Sequence, residues 1–316
     1  MRATVTAGLV ALALTLPAAP AVAEPPPGLQ RPSGSAGASA EAAGPVAARV
    51  AKVTGPKVVV VGDIACRPGP KPTKTTCRHA ATAKLAAKIK PKRVLAVGDL
   101  QYEKGELANF QQSYDPTWGK LKRITRPIPG NHEYNTTDAS GYYTYFGIDS
   151  PGYKAIRVGT WRIYMLNSMC GQIDCAAERT WLRQDMAAHP VACSAIAMHF
   201  PRYSSGEHGS NKSMTRFWRI AQAHGADLAF AGHDHDYERF AKMNADGKLR
   251  KSGLRSFVVG TGGKSLYRKQ TTAKGSQYFR ADKFGVLQMT LGEGEYAWKF
   301  KALGGTVRDA GSARCH

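Results

Sequence analysis

The chain has 316 residues, enough for one large α/β domain with a substantial core. It carries 44 Lys and Arg against 23 Asp and Glu, a formal net charge of +21. The basic residues, among them Lys84, Lys92, Lys120, Lys122, Arg123, Lys248 and Lys251, are scattered along the sequence. No basic helix or aromatic-interleaved stripe marks a sequence-specific nucleic-acid reader, so the charge points to solubility and to attraction toward anionic surfaces or phosphorylated substrates.

Met1-Arg2 is a short basic start, residues 5–16 are an apolar run, and Ala21-Val22-Ala23 is an A-x-A cleavage pattern before Glu24. Residues 1–23 therefore read as an export signal peptide. The run is too short to span a bilayer and no later segment is long and apolar enough; the expectation is a secreted, extracellular protein without a membrane span. Residues 24–52 are rich in Pro, Gly, Ser and Ala and read as a disordered linker. The folded domain is expected over residues 53–316.

Six cysteines in an exported chain point to disulfides. Cys66 and Cys77 bracket one loop, Cys170 and Cys175 can close another, and Cys193 and Cys315 remain for a third. A thiolate zinc site is the alternative, weakened by the absence of any C-x2-C spacing.

Strands and helices then alternate. Residues 57–61 are an unbroken valine-rich run ending in Gly62-Asp63, as expected of a strand buried on both faces. Residues 79–90 are alanine-rich and helical, with Leu85 and Ile89 four apart. A strand over 93–97 ends in Gly98-Asp99-Leu100-Gln101-Tyr102, and a helix is expected over 106–112. Pro127-Ile128-Pro129 leads into Gly130-Asn131-His132-Glu133. A strand over 162–166, a helix over 178–188 and a strand over 193–198 ending in His199 come next. A helix near 214–223 precedes the apolar run 228–231, which ends in Gly232-His233-Asp234-His235-Asp236-Tyr237-Glu238-Arg239. Segments 256–259, 285–291 and 296–301 give the remainder a β-rich character. Gly260-Thr261-Gly262-Gly263 reads as a tight turn passing close to the polar loops.

In an open α/β sheet, the loops leaving the carboxyl ends of strands converge on the ligand site. Here those loops carry Asp63, Asp99, Asn131, His132, His199, His233 and His235. Any one of them is ordinary turn or cap chemistry. Together they offer carboxylates, an amide oxygen and imidazoles suited to a two-metal site.

The order of these blocks resembles the calcineurin-like metallophosphoesterases, whose blocks run D-x-H, GD-x-x, GNH-[ED], H and GH-x-H. Ala65 stands where most members place a histidine, and Tyr102 comes three residues after Asp99. With the Gly232 to Arg239 ending, this is similar to the purple acid phosphatase branch, in a compact form of bacterial type. The resemblance implies a four-layer αββα sandwich of two mixed sheets flanked by helices. It implies a metal held by Asp63, Asp99, Tyr102 and His235, and a second held by Asp99, Asn131, His199 and His233. Fe(III) is implied at the first site, and zinc, manganese or Fe(II) at the second. His132 is implied as the catalytic group facing the phosphate, with Glu133 orienting it. His208 stands where some relatives place a second substrate-facing histidine; a solvated loop histidine is the other reading. Tyr102 as mere aromatic packing is likewise the alternative to a phenolate ligand.

The implied activity is hydrolysis of phosphomonoesters, small or polymeric, by in-line attack of a hydroxide generated at the metal pair. Two readings stand beside it: a phosphodiesterase on the same scaffold, and a non-catalytic binder of anionic cell-surface polymers. Electrostatic association with an anionic cell envelope is an accompanying expectation. No G-x-S-x-G elbow and no P-loop support a serine hydrolase or an NTPase.

Overall fold

The computed structural model describes residues 53–305 and 309–316. The export signal and linker expected over residues 1–52 lie outside the described residues.

Strand β1, Lys57–Val61, is buried from Val58 onward. Val58 and Val60 enter the core between two sheets, while Val59 and Val61 pack beneath helices. Alternate side chains of a strand leave opposite faces, so a strand covered on both sides has no polar face and reads as a continuous apolar run. Strand β2, Arg93–Val97, repeats this: Leu95 and Val97 face the other sheet, Val94 and Ala96 face the helices.

The remaining strands are β3 (Thr125–Ile128), β4 (Lys154–Val158), β5 (Trp161–Met165), β6 (Ser194–Ala197), β7 (Leu228–Ala231), β8 (Tyr237–Phe240), β9 (Arg255–Val259), β10 (Ser276–Arg280), β11 (Gly285–Leu291), β12 (Glu295–Ala302) and β13 (Ala310–Arg314). The first sheet has the order β13-β12-β11-β1-β2-β3 and the second β10-β8-β9-β7-β6-β5-β4. Strands β1, β2 and β3 run parallel, as do β5, β6, β7 and β9; the others pair antiparallel. Both sheets are mixed.

Helix α1, His79–Ile89, covers the first sheet through Ala83 and Ala86. The segment expected as a helix over 106–112 is a single α-turn, α2 (Leu107–Asn109), running into π-helical Phe110–Tyr114. With α3 (Ser140–Phe146) it buries an aromatic cluster of Phe110, Tyr114, Tyr142 and Tyr145 against the same sheet. Helices α4 (Cys175–Ala188) and α5 (Thr215–Ala223) cover the second sheet through Leu182, Met186, Phe217 and Trp218. Asp174 caps α4 by accepting the N–H groups of Ala176 and Ala177. The result is the four-layer αββα sandwich.

Several elements depart from the sequence reading, for identifiable reasons. Residues 127–129 read as a lead-in loop, yet Pro127 lies within β3. That strand is the outermost of its sheet, where a residue without an N–H is tolerated. Residues 237–240 continue the histidine loop in sequence but form β8, paired with β9 and β10. Strands β4, β10 and β13 sit at sheet edges and are only partly buried, so they lack a strong apolar rhythm.

Cys66–Cys77, Cys170–Cys175 and Cys193–Cys315 are disulfides with Cα–Cα separations of 5.4, 5.2 and 5.6 Å, inside the usual range for such bonds. With every cysteine paired, the thiolate zinc alternative falls. Among the described residues no helix is long and apolar enough to cross a membrane.

Candidate metal centre

The polar loops meet at the carboxyl ends of the parallel strands of both sheets. Three of their residues, Asp63, Asp99 and His233, have φ of 60, 50 and 73°. A side chain in the left-handed region costs on the order of 1–3 kcal/mol and persists only where neighbours hold it. Here they do: Asp63 Oδ2 accepts the His233 N–H at 2.9 Å, and Asp99 Oδ1 accepts the His132 N–H at 2.8 Å. The glycines permit the closeness. A Cβ on Gly98, which has φ of 87°, would lie 2.4 Å from His199 Nδ1, and one on Gly130 would lie 2.2 Å from Asp99 Oδ1.

The Tyr102 hydroxyl is the centre of one group. It lies 2.9 Å from Asp63 Oδ1, 3.0 Å from Asp99 Oδ2 and 2.9 Å from His235 Nε2. All four side chains are buried. A phenol has one proton to donate, so the two carboxylate oxygens alone are more than it can satisfy. Burial, then Asp63 and Asp99, push the Tyr102 phenol well above its ordinary value. This excess of lone pairs and negative charge fits a cation.

His199 is the centre of the other group. Its Nδ1–H donates to the Val97 carbonyl at 2.9 Å, and its Nε2 points at Asn131 Oδ1, 3.1 Å away, and at Asp99 Oδ2, 3.3 Å away. A backbone carbonyl behind an imidazole is the usual way a ligating histidine is oriented. Asp99, His199 and His233 each offer an atom within 4.8 Å of the others, a spacing that could hold one ion. At Asp99 burial opposes ionisation, but the adjacent His199 and His132 outweigh it and hold the carboxyl well below its ordinary range. At His199 burial is in turn outweighed by Asp99, and the imidazole is raised. Burial, with His199 and His208, pushes His233 well down. Asp99 touches both groups and is the carboxylate placed to be shared.

The rim carries the remaining expected residues. The His132 ring lies 4.2 Å from the Tyr102 ring, its Nδ1–H donates to the Glu103 carbonyl at 2.7 Å, and its Nε2 faces inward, 4.0 Å from Asp99 Oδ2. His208 stacks on His233 with centroids 4.2 Å apart. Its backbone N–H is anchored by Asp234 Oδ1 at 2.7 Å, so it is no free loop residue although its side chain is exposed.

Glu133 does something other than expected. Its carboxylate makes no hydrogen bond to the His132 ring, whose Nδ1 is taken by the Glu103 carbonyl. Its carboxylate lies under the loops and accepts the N–H groups of Asp99, Leu100, Gln101 and Gly130 at 2.7–3.1 Å. Burial and the nearby Asp99 push it up to about 8.

Reasoning from sequence missed the residues behind His235. The turn at residues 260–263 does pass the site, with Gly262 N–H donating to the Gly62 carbonyl at 2.9 Å. The side chains just beyond that turn matter more. Ser265 Oγ lies 2.8 Å from His235 Nδ1, and Tyr267 stacks on the His235 ring at 3.9 Å with an interplanar angle of 5°. Lys264 pairs with Glu103 and sits 4.8 Å above the Tyr102 ring. The only local signal was the glycine run itself.

An αββα sandwich with this donor set at its strand ends defines a metallophosphoesterase-type architecture. Residues 56–237 match the family model described as Calcineurin-like phosphoesterase, and the chain belongs to that family. Among curated relatives it is 26% identical over 223 residues to Purple acid phosphatase 18 of Arabidopsis thaliana, covering 60% of this chain and 46% of the relative. It is 23% identical over 244 residues to Purple acid phosphatase 22 of the same plant, covering 64% and 52%. The chain thus spans about half the length of the curated relatives it matches. The solved purple acid phosphatase PPD1 of yellow lupin (Lupinus luteus) seeds shares the fold with a TM-score of 0.68 at 18% identity, covering 83% of this chain and 54% of that one. These relatives put the chain on the purple acid phosphatase-like side of the family.

Proposed function

We propose that the protein is an exported, binuclear-metal hydrolase of phosphomonoesters. The observation that carries this reading is the convergence of seven donor side chains on two adjoining groups that share Asp99. Asp63, Tyr102, His235 and Asp99 would hold one ion, with Fe(III) favoured because a hard trivalent cation matches a phenolate. Asn131, His199, His233 and the shared Asp99 would hold the second, as zinc, manganese or Fe(II). When bound, such a pair supplies Lewis acidity toward a phosphoryl group and a water acidified toward a pKa of about 7.

The chain's own residues do the rest. The Val97 carbonyl accepts the His199 Nδ1–H, and the Ser265 hydroxyl holds the His235 ring through Nδ1, so that both present Nε2 to the centre. The Glu103 carbonyl accepts the His132 Nδ1–H and aims Nε2 inward, where the protonated ring would donate to a phosphoryl oxygen or to the leaving oxygen. His208 and Tyr267 stand beside His233 and His235. Several such donors suit a terminal phosphoryl group with three unesterified oxygens, which supports monoesters over diesters. Export is supported by three disulfides, which persist in oxidising compartments.

The test is hydrolysis of an aryl phosphomonoester and its bis-aryl diester by the full chain, with and without a chelator. Faster cleavage of the monoester, lost on chelation and restored by metal, is expected. Activity indifferent to chelation would overturn the metal mechanism, and preferential diester cleavage would make it a phosphodiesterase.

A further inference from the structure

Basic residues that look scattered in the sequence gather in space at one place remote from the donor set. A groove of about 640 Å³ is lined by Lys120, Lys122, Arg123, Arg126 and Lys154, over an apolar wall that includes Phe146. It lies at the amino-terminal end of β3, whereas Asn131 and His132 lie beyond the carboxyl end of that strand. The edge strands β3 and β4, one from each sheet, contribute Arg126 and Lys154, and the 3-10 turn Trp118–Ile124 contributes the other three. The five cations therefore come from three segments that only the fold brings together.

Its cations lack acidic partners within the groove. None of the residues that line it is acidic, and among the described residues none of the five cations forms a salt bridge. The nearby Asp115 is occupied by the Tyr145 hydroxyl at 2.5 Å. Nor do the cations hang free. Arg126 Nη1 donates to the carbonyls of Arg123 and Thr125 at 3.2 and 2.8 Å, and Lys122 Nζ sits 4.2 Å from the Tyr145 ring centroid. Burial lowers the proton affinity of both Lys154 and Arg126, helped by repulsion from Arg126 on Lys154 and from Arg93 on Arg126. Holding like charges together in a half-buried groove is costly without an anion to relieve it.

We propose that this groove is a binding site for an extended polyanion carrying repeated phosphoryl groups, separate from the metal centre. Five cations along one groove exceed what a single phosphate can contact. A concave site suits a flexible chain, whereas a planar bilayer surface would meet a flat or convex face. Such a site would tether the domain to a phosphate-rich polymer while leaving the metal centre open. It does not depend on the hydrolytic reading, because the two sites share no residue.

The experiment titrates the full chain with fluorescently labelled long-chain inorganic polyphosphate at several salt concentrations. Lys120→Glu with Arg123→Glu, both at exposed positions, should weaken binding about tenfold at low salt and cut the salt dependence by a slope of roughly 1–1.5. Lys248→Glu with Lys251→Glu makes the same change in net charge at exposed positions elsewhere and should stay within about twofold of the unmodified protein. Lys154→Gln, which adds no negative charge, should give a smaller loss in the same direction. Aryl phosphate hydrolysis by the groove variants should be unchanged, which certifies their fold and separates this proposal from the hydrolytic one. Equal losses in the two double variants would reduce the effect to net charge, and undiminished binding in the groove variant would place the polymer elsewhere; either overturns the proposal. So would a groove-dependent attachment to phosphatidylglycerol vesicles without groove-dependent polyphosphate binding, which would make the partner a membrane.

Discussion

Glu133 Oε2 accepts the backbone N–H of Asp99 at 2.9 Å, thirty-four positions earlier in the chain. The same carboxylate accepts the N–H groups of Leu100, Gln101 and Gly130, so one buried side chain sets the paths of two strand-end loops. Asp99 is held in place by its backbone, leaving its side chain for the centre. Glu133→Ala would strand four buried donors, each costing about 1–3 kcal/mol unless water enters. The expected outcome is a loss of at least about 3 kcal/mol in denaturant unfolding, with reduced metal content. A variant as stable and as metal-replete as the parent would refute the role.

His132 should separate catalysis from metal binding. Its Nε2 stands 4.0 Å from Asp99 Oδ2, at the rim and outside the groups around Tyr102 and His199. His132→Ala is expected to retain both metals by elemental analysis while kcat falls by on the order of 10² to 10⁴, the usual worth of a positioned acid or base. Loss of metal would make it a ligand instead.

Tyr102 carries the prediction about metal identity. With its hydroxyl within 3.0 Å of Asp63, Asp99 and His235, it should bind Fe(III) as phenolate and give a visible charge-transfer band. In Tyr102→Phe that band should vanish while some metal remains on Asp63, Asp99 and His235. A colourless iron-loaded protein, or a band that survives the substitution, would leave Tyr102 as packing.

Glu178 makes stability depend on pH. It is a fully buried residue of α4, accepts the Asn167 N–H at 2.8 Å, and is pushed up to about 8 by burial. Between the ordinary carboxylate value and about 8 the folded chain keeps a proton that the unfolded chain releases. The native state then binds more protons, so this group's contribution falls as pH rises through that window and is fully present below it. Glu178→Gln should flatten the decline in unfolding free energy between about pH 5 and pH 8, measured by denaturant titration. A decline as steep as the parent's would mean another group is responsible.

Much of the centre was legible because each donor is adjacent in sequence to the strand that positions it. An apolar run followed by glycine and a polar residue records the strand end directly, as at Val61-Gly62-Asp63, Val97-Gly98-Asp99 and Ala231-Gly232-His233. Burial on both faces makes β1, β2 and β7 readable as well, since such strands are apolar throughout. Cysteine spacing carried the two short disulfides, whose partners lie 11 and 5 residues apart.

What the tertiary structure alone decided are contacts whose partners share no local pattern. Glu133 reads as a neighbour of His132, but a 3-10 turn sends its side chain beneath the loops. Ser265 and Tyr267 reach His235 only because β9, paired between β7 and β8, returns the chain to the same end of the sheet. The basic groove exists only because β3 and β4 are both edge strands. A sequence shows the period of burial along one element; which side chains of distant elements meet is set by how sheets and helices pack, and no local residue pattern encodes that.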